Sequence, residues 1–211
     1  MKLFFAIEPD DPCRSELLRL QAALRGATRG EAAEPPPGIT WSPREQLHVT
    51  VQYLGSVADP APVVAAARAA FAGHAPFELA VGPLGSFGDS APRVVWAGLA
   101  GDGLPRLHAL AAALARELAP LGLVPDQDEY RPHFTLARVR GESGSSKGRS
   151  KKKPPAPTSV RKEGARALAA AIRSAATPAT ASFRVAEVVL FESREGQGGP
   201  VYFPLERLPL S

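Results

Sequence analysis

Two segments of this chain carry the same constraint. In Leu47–Leu54 (LHVTVQYL), Leu47, Val49, Val51 and Tyr53 fall on one side of an extended backbone, and His48, Thr50 and Gln52 fall on the other. In Arg131–Val139, Arg131, His133 and Thr135 share one face, while Phe134 and Leu136 share the opposite face. Each segment reads as a half-buried strand with a His-x-Thr tripeptide on its polar side. Strand geometry sets the His and Thr of each tripeptide about 7 Å apart on one face. If the two strands lie side by side across a pseudo-twofold, two imidazoles and two hydroxyls converge on one cleft.

The remaining pattern places these strands in an α+β fold. Leu3–Ile7 reads as a buried strand that ends at Glu8-Pro9. A helix follows from Asp10 or Asp11, with Pro12 in its first turn and Gly26 as its stop. Residues 27–38 are loop by composition, and Ile39–Trp41 is a short strand before the Ser42-Pro43 turn. Further helices are expected over 60–72, Leu104–Leu118 and about 164–176. Phe77–Val81 and Arg93–Leu99 read as strands joined by a long loop, and 183–191 and 201–208 as strands joined by the turn SREGQGGP. Hairpin-like strand pairs in both halves favour antiparallel or mixed sheets over a doubly wound parallel sheet. The strand–helix–strand sets around LHVT and PHFT form a weak internal repeat.

Composition enters through charge. The formal net charge is +4, yet residues 143–162 hold seven Lys and Arg and no acid. The remainder has 18 bases against 21 acids, so a mildly acidic body carries a basic segment. Residues 141–162 are therefore read as a basic, low-complexity insertion within one domain spanning 1–211. Its charges can attract an RNA backbone, but it has no aromatic side chain on which a base would stack. One cysteine, Cys13, excludes an intramolecular disulfide framework and a Cys-based zinc site. Leu3–Ile7 is too short for a signal-peptide core, and no apolar run reaches the roughly 18 residues of a bilayer span. A cytoplasmic protein without membrane contact is expected.

Two His-x-Thr pairs suit phosphate chemistry without a metal. An imidazole titrates near neutrality, so one accepts a proton while the other, protonated, donates one. The hydroxyls can hydrogen-bond non-bridging phosphate oxygens as charge builds. By alternation Arg131 lies on the same face as His133 and adds charge towards the phosphate. Trp41 and Tyr53 are candidates for base stacking, although Tyr53 falls on the apolar side, where core packing is favoured. His74 and His108 have no partner at metal-ligand spacing and read as structural, and no metal or other cofactor is expected. Gly196, Gly198 and Gly199 open no helix and read as a turn. Asp126, Asp128 and Glu129 read as a solvated acidic loop.

Four segments also carry a family resemblance: LFFAIEP at the start, LHVTVQYLG, RPHFTLAR, and FES…GPVYFPLERLPL at the end. Together they resemble the 2H phosphoesterases, named for two such motifs, and among them the RNA 2′,3′-cyclic phosphodiesterases formerly called 2′-5′ RNA ligases. Val51 stands where the first motif usually ends in Leu, and the basic insertion is the main departure. The resemblance implies two α+β lobes related by a pseudo-twofold, with a cleft between them. It implies hydrolysis of a 2′,3′-cyclic phosphate at an RNA 3′ end to a 2′-phosphomonoester, by a monomer. His48 and His133 would be the acid and base and Thr50 and Thr135 the phosphate ligands, with His133 assigned as the base that activates water and His48 as the acid. Two alternatives stay open: a phosphodiesterase for small cyclic phosphates such as ADP-ribose 1″,2″-cyclic phosphate or cyclic nucleotides, and a non-catalytic RNA-end binding protein.

Overall fold

In a computed structural model, the structure describes residues 1–29, 38–88, 92–125, 129–139, 158–175, 181–197 and 199–211. Nine strands and four helices follow one another as β1 (Lys2–Ile7), α1 (Asp11–Arg29), β2 (Ile39–Trp41), β3 (Val49–Ser56), α2 (Ala61–Phe71), β4 (Phe77–Phe87), β5 (Val94–Ala100), α3 (Leu104–Leu118), β6 (His133–Val139), α4 (Thr158–Ser174), β7 (Ser182–Val185), β8 (Glu187–Gly196) and β9 (Gly199–Pro209). The strands form a single sheet in the order β7-β4-β5-β6-β3-β1-β8-β9, with β2 added on β6. Every pairing is antiparallel.

The sheet is nearly cut in two at its centre. β3 and β6 share one partner pair, Val49 with Phe134. Beyond that step β6 turns its edge to β2, where Trp41 pairs with Ala137 and Ile39 with Val139, and the Ser42 N–H donates to the Leu136 carbonyl at 2.9 Å. The two halves are β3-β1-β8-β9 and β7-β4-β5-β6, the two lobes expected from the sequence. Their helices are exchanged. α1 leaves β1 of the first lobe to pack with α4 against β6 and β7, and α3 leaves β5 of the second lobe to pack with α2 against β3. All four helices cover one face of the sheet, and the apolar side chains of that face form one continuous core across both lobes.

Several elements depart from the sequence expectation for identifiable reasons. The Asp10 carboxylate caps α1 by accepting from the Cys13 N–H at 2.9 Å. The helix then runs through Gly26 to Arg29, because Leu24 and Thr28 on its inner face are buried and outweigh the roughly 1 kcal/mol penalty of a helical glycine. β4 extends to Phe87 where a loop was expected, since a register shift between Val81 and Leu84 lets Pro83 pass without a ladder donor. The single strand expected over 183–191 is two strands broken at Ala186: β7 pairs with β4 in the second lobe, and β8 pairs with β1 in the first. α4 begins at Thr158, six residues before the expected start, within the range read as insertion. The rest of that basic insertion, 141–157, lies outside the described residues, as do Asp126, Asp128 and Gly198.

Phe134, fully buried with its ring centroid 5.7 Å from that of Phe183 on β7, anchors the central step in the core. Phe134→Ala is expected to lower unfolding free energy by about 3–5 kcal/mol in urea titrations. Phe203, 40% exposed beneath the Arg194 guanidinium at 4.5 Å, is expected to tolerate the same change within about 1 kcal/mol. Equal losses at the two positions would contradict this placement of the core.

Candidate active site

The register at the centre of the sheet builds the site. Val49 and Phe134 oppose one another and point into the helix-covered core. Their sequence neighbours therefore emerge on the open face: His48 and Thr50 from the first motif, His133 and Thr135 from the second. The antiparallel direction of the two strands places His48 towards the Thr135 side and Thr50 towards the His133 side of that single pair. The four residues picked out by pattern are brought together on one surface.

The two imidazoles are held alike. His48 Nδ1 lies 2.8 Å from the carbonyl oxygen of Gln46, and His133 Nδ1 lies 2.7 Å from that of Arg131. A carbonyl only accepts, so each Nδ1 carries the proton and each Nε2 is left for chemistry. Both acceptors lie two residues before their histidine, a backbone role that carries no side-chain signal in the sequence. The motif strands are braced in turn: the Tyr130 hydroxyl donates to the Thr50 carbonyl at 3.0 Å, and Gln21 Nε2 donates to the Leu136 carbonyl at 2.9 Å.

A bulge after each motif changes which side chains face the cleft. On β3, Phe5 pairs with Gln52 and Ala6 with Thr50, so Val51 is an extra residue. On β6, Val95 pairs with Ala137 and Trp96 with Thr135, so Leu136 is extra. Past a bulge the alternation reverses. Gln52, expected beside His48 and Thr50, is turned inward, 5% exposed, and donates to the Leu123 carbonyl. Tyr53, expected in the core, is turned out onto the cleft face at 46% exposure. Arg138 emerges at the equivalent place in the second lobe, five residues after its histidine as Tyr53 is after His48. Strict alternation concealed both; the matching offset from the two histidines is the signal that would have found them.

The remaining candidates are placed as follows. The Arg131 guanidinium, read as a phosphate contact, is exposed and paired with Glu129 at 2.6 Å. Trp41, a stacking candidate, faces the core side with the Arg25 guanidinium 4.9 Å above its ring. Aromatic rings flank both histidines. Phe4 and Tyr202 each have ring centroids 5.2 Å from His48, and Phe87 and Trp96 stand 5.0 and 6.1 Å from His133.

The electrostatics of the two histidines differ in two respects. Burial pushes both imidazoles below the usual histidine range, the backbone carbonyls partly offset this, and the Arg138 charge lowers both further. His48 is lowered also by His133 and raised by Glu8. Glu8 follows Ile7, the partner of Val49, and so stands across from His48; the partner of His133 is Gly98. Arg14 at 3.3 Å and Arg207 at 2.9 Å hold the Glu8 carboxylate.

With this geometry in view, the comparisons are specific. The family model described as the 2′-5′ RNA ligase superfamily matches residues 9–197. The chain belongs to that superfamily. Among its curated relatives, the RNA 2′,3′-cyclic phosphodiesterase of Archaeoglobus fulgidus is 30% identical over 141 residues, 66% of this chain and 73% of that protein. The protein of the same name from Methanothermobacter thermautotrophicus is 27% identical over 98% of this chain and 97% of its own length. Another of that name, from Geobacillus stearothermophilus, is 36% identical over 52% of this chain, but the match spans only 35% of that longer relative. Among solved structures, TT0787 of Thermus thermophilus superposes with a TM-score of 0.71 at 24% identity, covering 100% of this chain and 98% of its own. E. coli LigT complexed with 3′-AMP does so at 0.65 and 24%, with the same coverage. Both share the fold described above.

Depressed histidines leave a signature in stability. In the unfolded chain the imidazoles titrate near 6.5, above their folded values, so on the acid side the unfolded state binds more protons. Their contribution is full above about pH 6.5 and is lost as pH falls through that value towards the folded pKa values. The urea midpoint is expected to drop between pH 7.5 and 5.5, and to drop less in a His48→Gln/His133→Gln double variant. Identical drops in the two proteins would contradict the burial of the imidazoles.

Proposed function

We propose that this chain is a hydrolase that opens RNA 2′,3′-cyclic phosphate ends to 2′-phosphomonoesters by acid–base catalysis between His48 and His133, with no metal. The observation that carries the reading is the matched pair of Nδ1–carbonyl hydrogen bonds, which leaves two Nε2 atoms free on one open face. A cyclic phosphate seated between them meets one imidazole on the side of the attacking water and one on the side of the departing oxygen. Neutral His133 takes the water proton as the P–O bond forms. Protonated His48 gives its proton to the 3′ oxygen as the P–O3′ bond breaks. Glu8 supports this direction, because among the charges acting on the two imidazoles it is the carboxylate, and it acts on His48.

The surrounding groups take complementary roles in this reading. The Thr50 and Thr135 hydroxyls hydrogen-bond the non-bridging oxygens. Arg138, whose charge is felt by both histidines and by Tyr202 of the facing lobe, neutralises charge that accumulates on the phosphoryl group. Arg131 serves His133 through its carbonyl, and its guanidinium, held by Glu129, is secondary. The shared name of the relatives from Archaeoglobus and Methanothermobacter supports the substrate class.

The test is hydrolysis of a cyclic-phosphate-ended oligonucleotide in EDTA. His48→Ala and His133→Ala are each expected to lower kcat by about 10²–10⁴, with the double variant well short of the product of the two. Retention of full activity by both single variants, or loss of wild-type activity in EDTA, would sink the proposal. Arg138→Met is expected to cost about 10²–10³ in kcat, and Arg131→Met less than about tenfold. The reverse ranking would return the phosphate contact to Arg131. Because kcat/KM reports the free enzyme and both imidazoles are depressed there, its bell-shaped pH profile is expected to peak on the acid side of about 6.5. A peak well above that pH would contradict the two-histidine assignment.

A further inference from the structure

His133 borders a cavity of about 390 Å³ that none of the first-lobe strands helps to line. This volume is within the range of small-molecule sites. Its walls are apolar and aromatic: Phe87 and Trp96 beside the imidazole, then Leu104 and His108 from the first turns of α3, and Tyr130. The Trp96 ring lies flat over Gly85, where a Cβ would come within 2.2 Å of it. A Cβ at Gly98 would stand 3.3 Å from the same ring. The Trp96 Nε1–H is buried without a hydrogen-bond partner among the described residues. At the rim, Glu129 and Arg131 neutralise one another at 2.6 Å, so the opening favours neither an anion nor a cation. A flat, neutral heterocycle fits these walls.

The rings beside His48, Phe4 and Tyr202, belong to the first lobe, so each histidine has its own aromatic site. A cyclic phosphate seated between the imidazoles would have one such site on either side, and its own nucleoside fills only one. We propose that the cavity beside His133 is a second base subsite, which binds the nucleobase of the nucleotide adjoining the cyclic end. The inference rests on the cyclic phosphodiesterase reading and narrows it: an RNA end of two or more nucleotides is a better substrate than a cyclic mononucleotide. The preference appears in KM, because the second base lies away from the reacting bonds and binds ground state and transition state alike.

Two measurements test it, one independent of turnover. Trp41 and Trp96 are the two tryptophans, so Trp41→Phe leaves Trp96 as the sole indole reporter. Titrating that variant with adenosine, which has no phosphate, is expected to change its fluorescence saturably in the millimolar range. In the kinetic arm, the diadenosine 2′,3′-cyclic phosphate is expected to exceed adenosine 2′,3′-cyclic phosphate in kcat/KM by about tenfold, the scale of one stacked base. Leu104→Phe and His108→Trp, which fill the cavity from the surface of α3, are each expected to collapse that ratio towards one. An unchanged fluorescence together with a ratio near one in the wild type overturns the proposal. So does saturable adenosine binding with a ratio that neither filling variant alters, since the cavity would then bind a nucleoside without serving the substrate. Absence of hydrolysis with either substrate overturns the phosphodiesterase reading instead, and the titration still decides whether the cavity binds a base.

Discussion

The molecule depends on one step of hydrogen-bonded ladder. Val49 and Phe134 pair at the centre of a nine-stranded sheet, and on either side of them the two strands part company. That step joins the lobes, aligns the motifs antiparallel and sends four polar side chains to one open face while the apolar pair anchors below. More pairing would have filled the gap between the motifs with strand. No pairing would have left their relative position to the helices alone. Beside that step, the Thr50 carbonyl is met by the Tyr130 side chain, and the Leu136 carbonyl by both the Ser42 N–H and the Gln21 side chain.

Repetition around this step gives the site both its symmetry and its bias. Each histidine is oriented by a carbonyl two residues earlier, and each motif is followed by a bulge that presents one more side chain to the cleft. The chemistry presented differs: Tyr53 from one lobe, Arg138 from the other, Glu8 opposite one imidazole and Gly98 opposite the other. A symmetric frame holds two imidazoles in equivalent geometry, and the unequal surroundings distinguish them.

The motifs were legible in the sequence because half-buried strands obey period two and His-x-Thr keeps both polar groups on one face. The same rule failed three residues further on. A bulge inserts one residue, leaves no compositional mark and inverts every later position, which is why Tyr53 was assigned to the core and Gln52 to the cleft. Local pattern was silent too on the break at Ala186, since apolar residues run on from β7 into the start of β8 and their partners, in different lobes, separate them. Helix limits erred where burial overrode propensity, as at Gly26. Arg131 shows the limit of face assignment: alternation fixes which way a side chain leaves the backbone, but not which neighbour, here Glu129, takes hold of its far end.

The exchanged helices bear on how a ligand enters. α1 starts from the first lobe and is seated beneath the second, and α3 makes the return journey. Swinging the lobes apart would drag each helix from under the sheet it covers and expose the common core to water. The lobes are thus tied together from behind, and widening the gap between the motifs would cost burial in the core that both helices share.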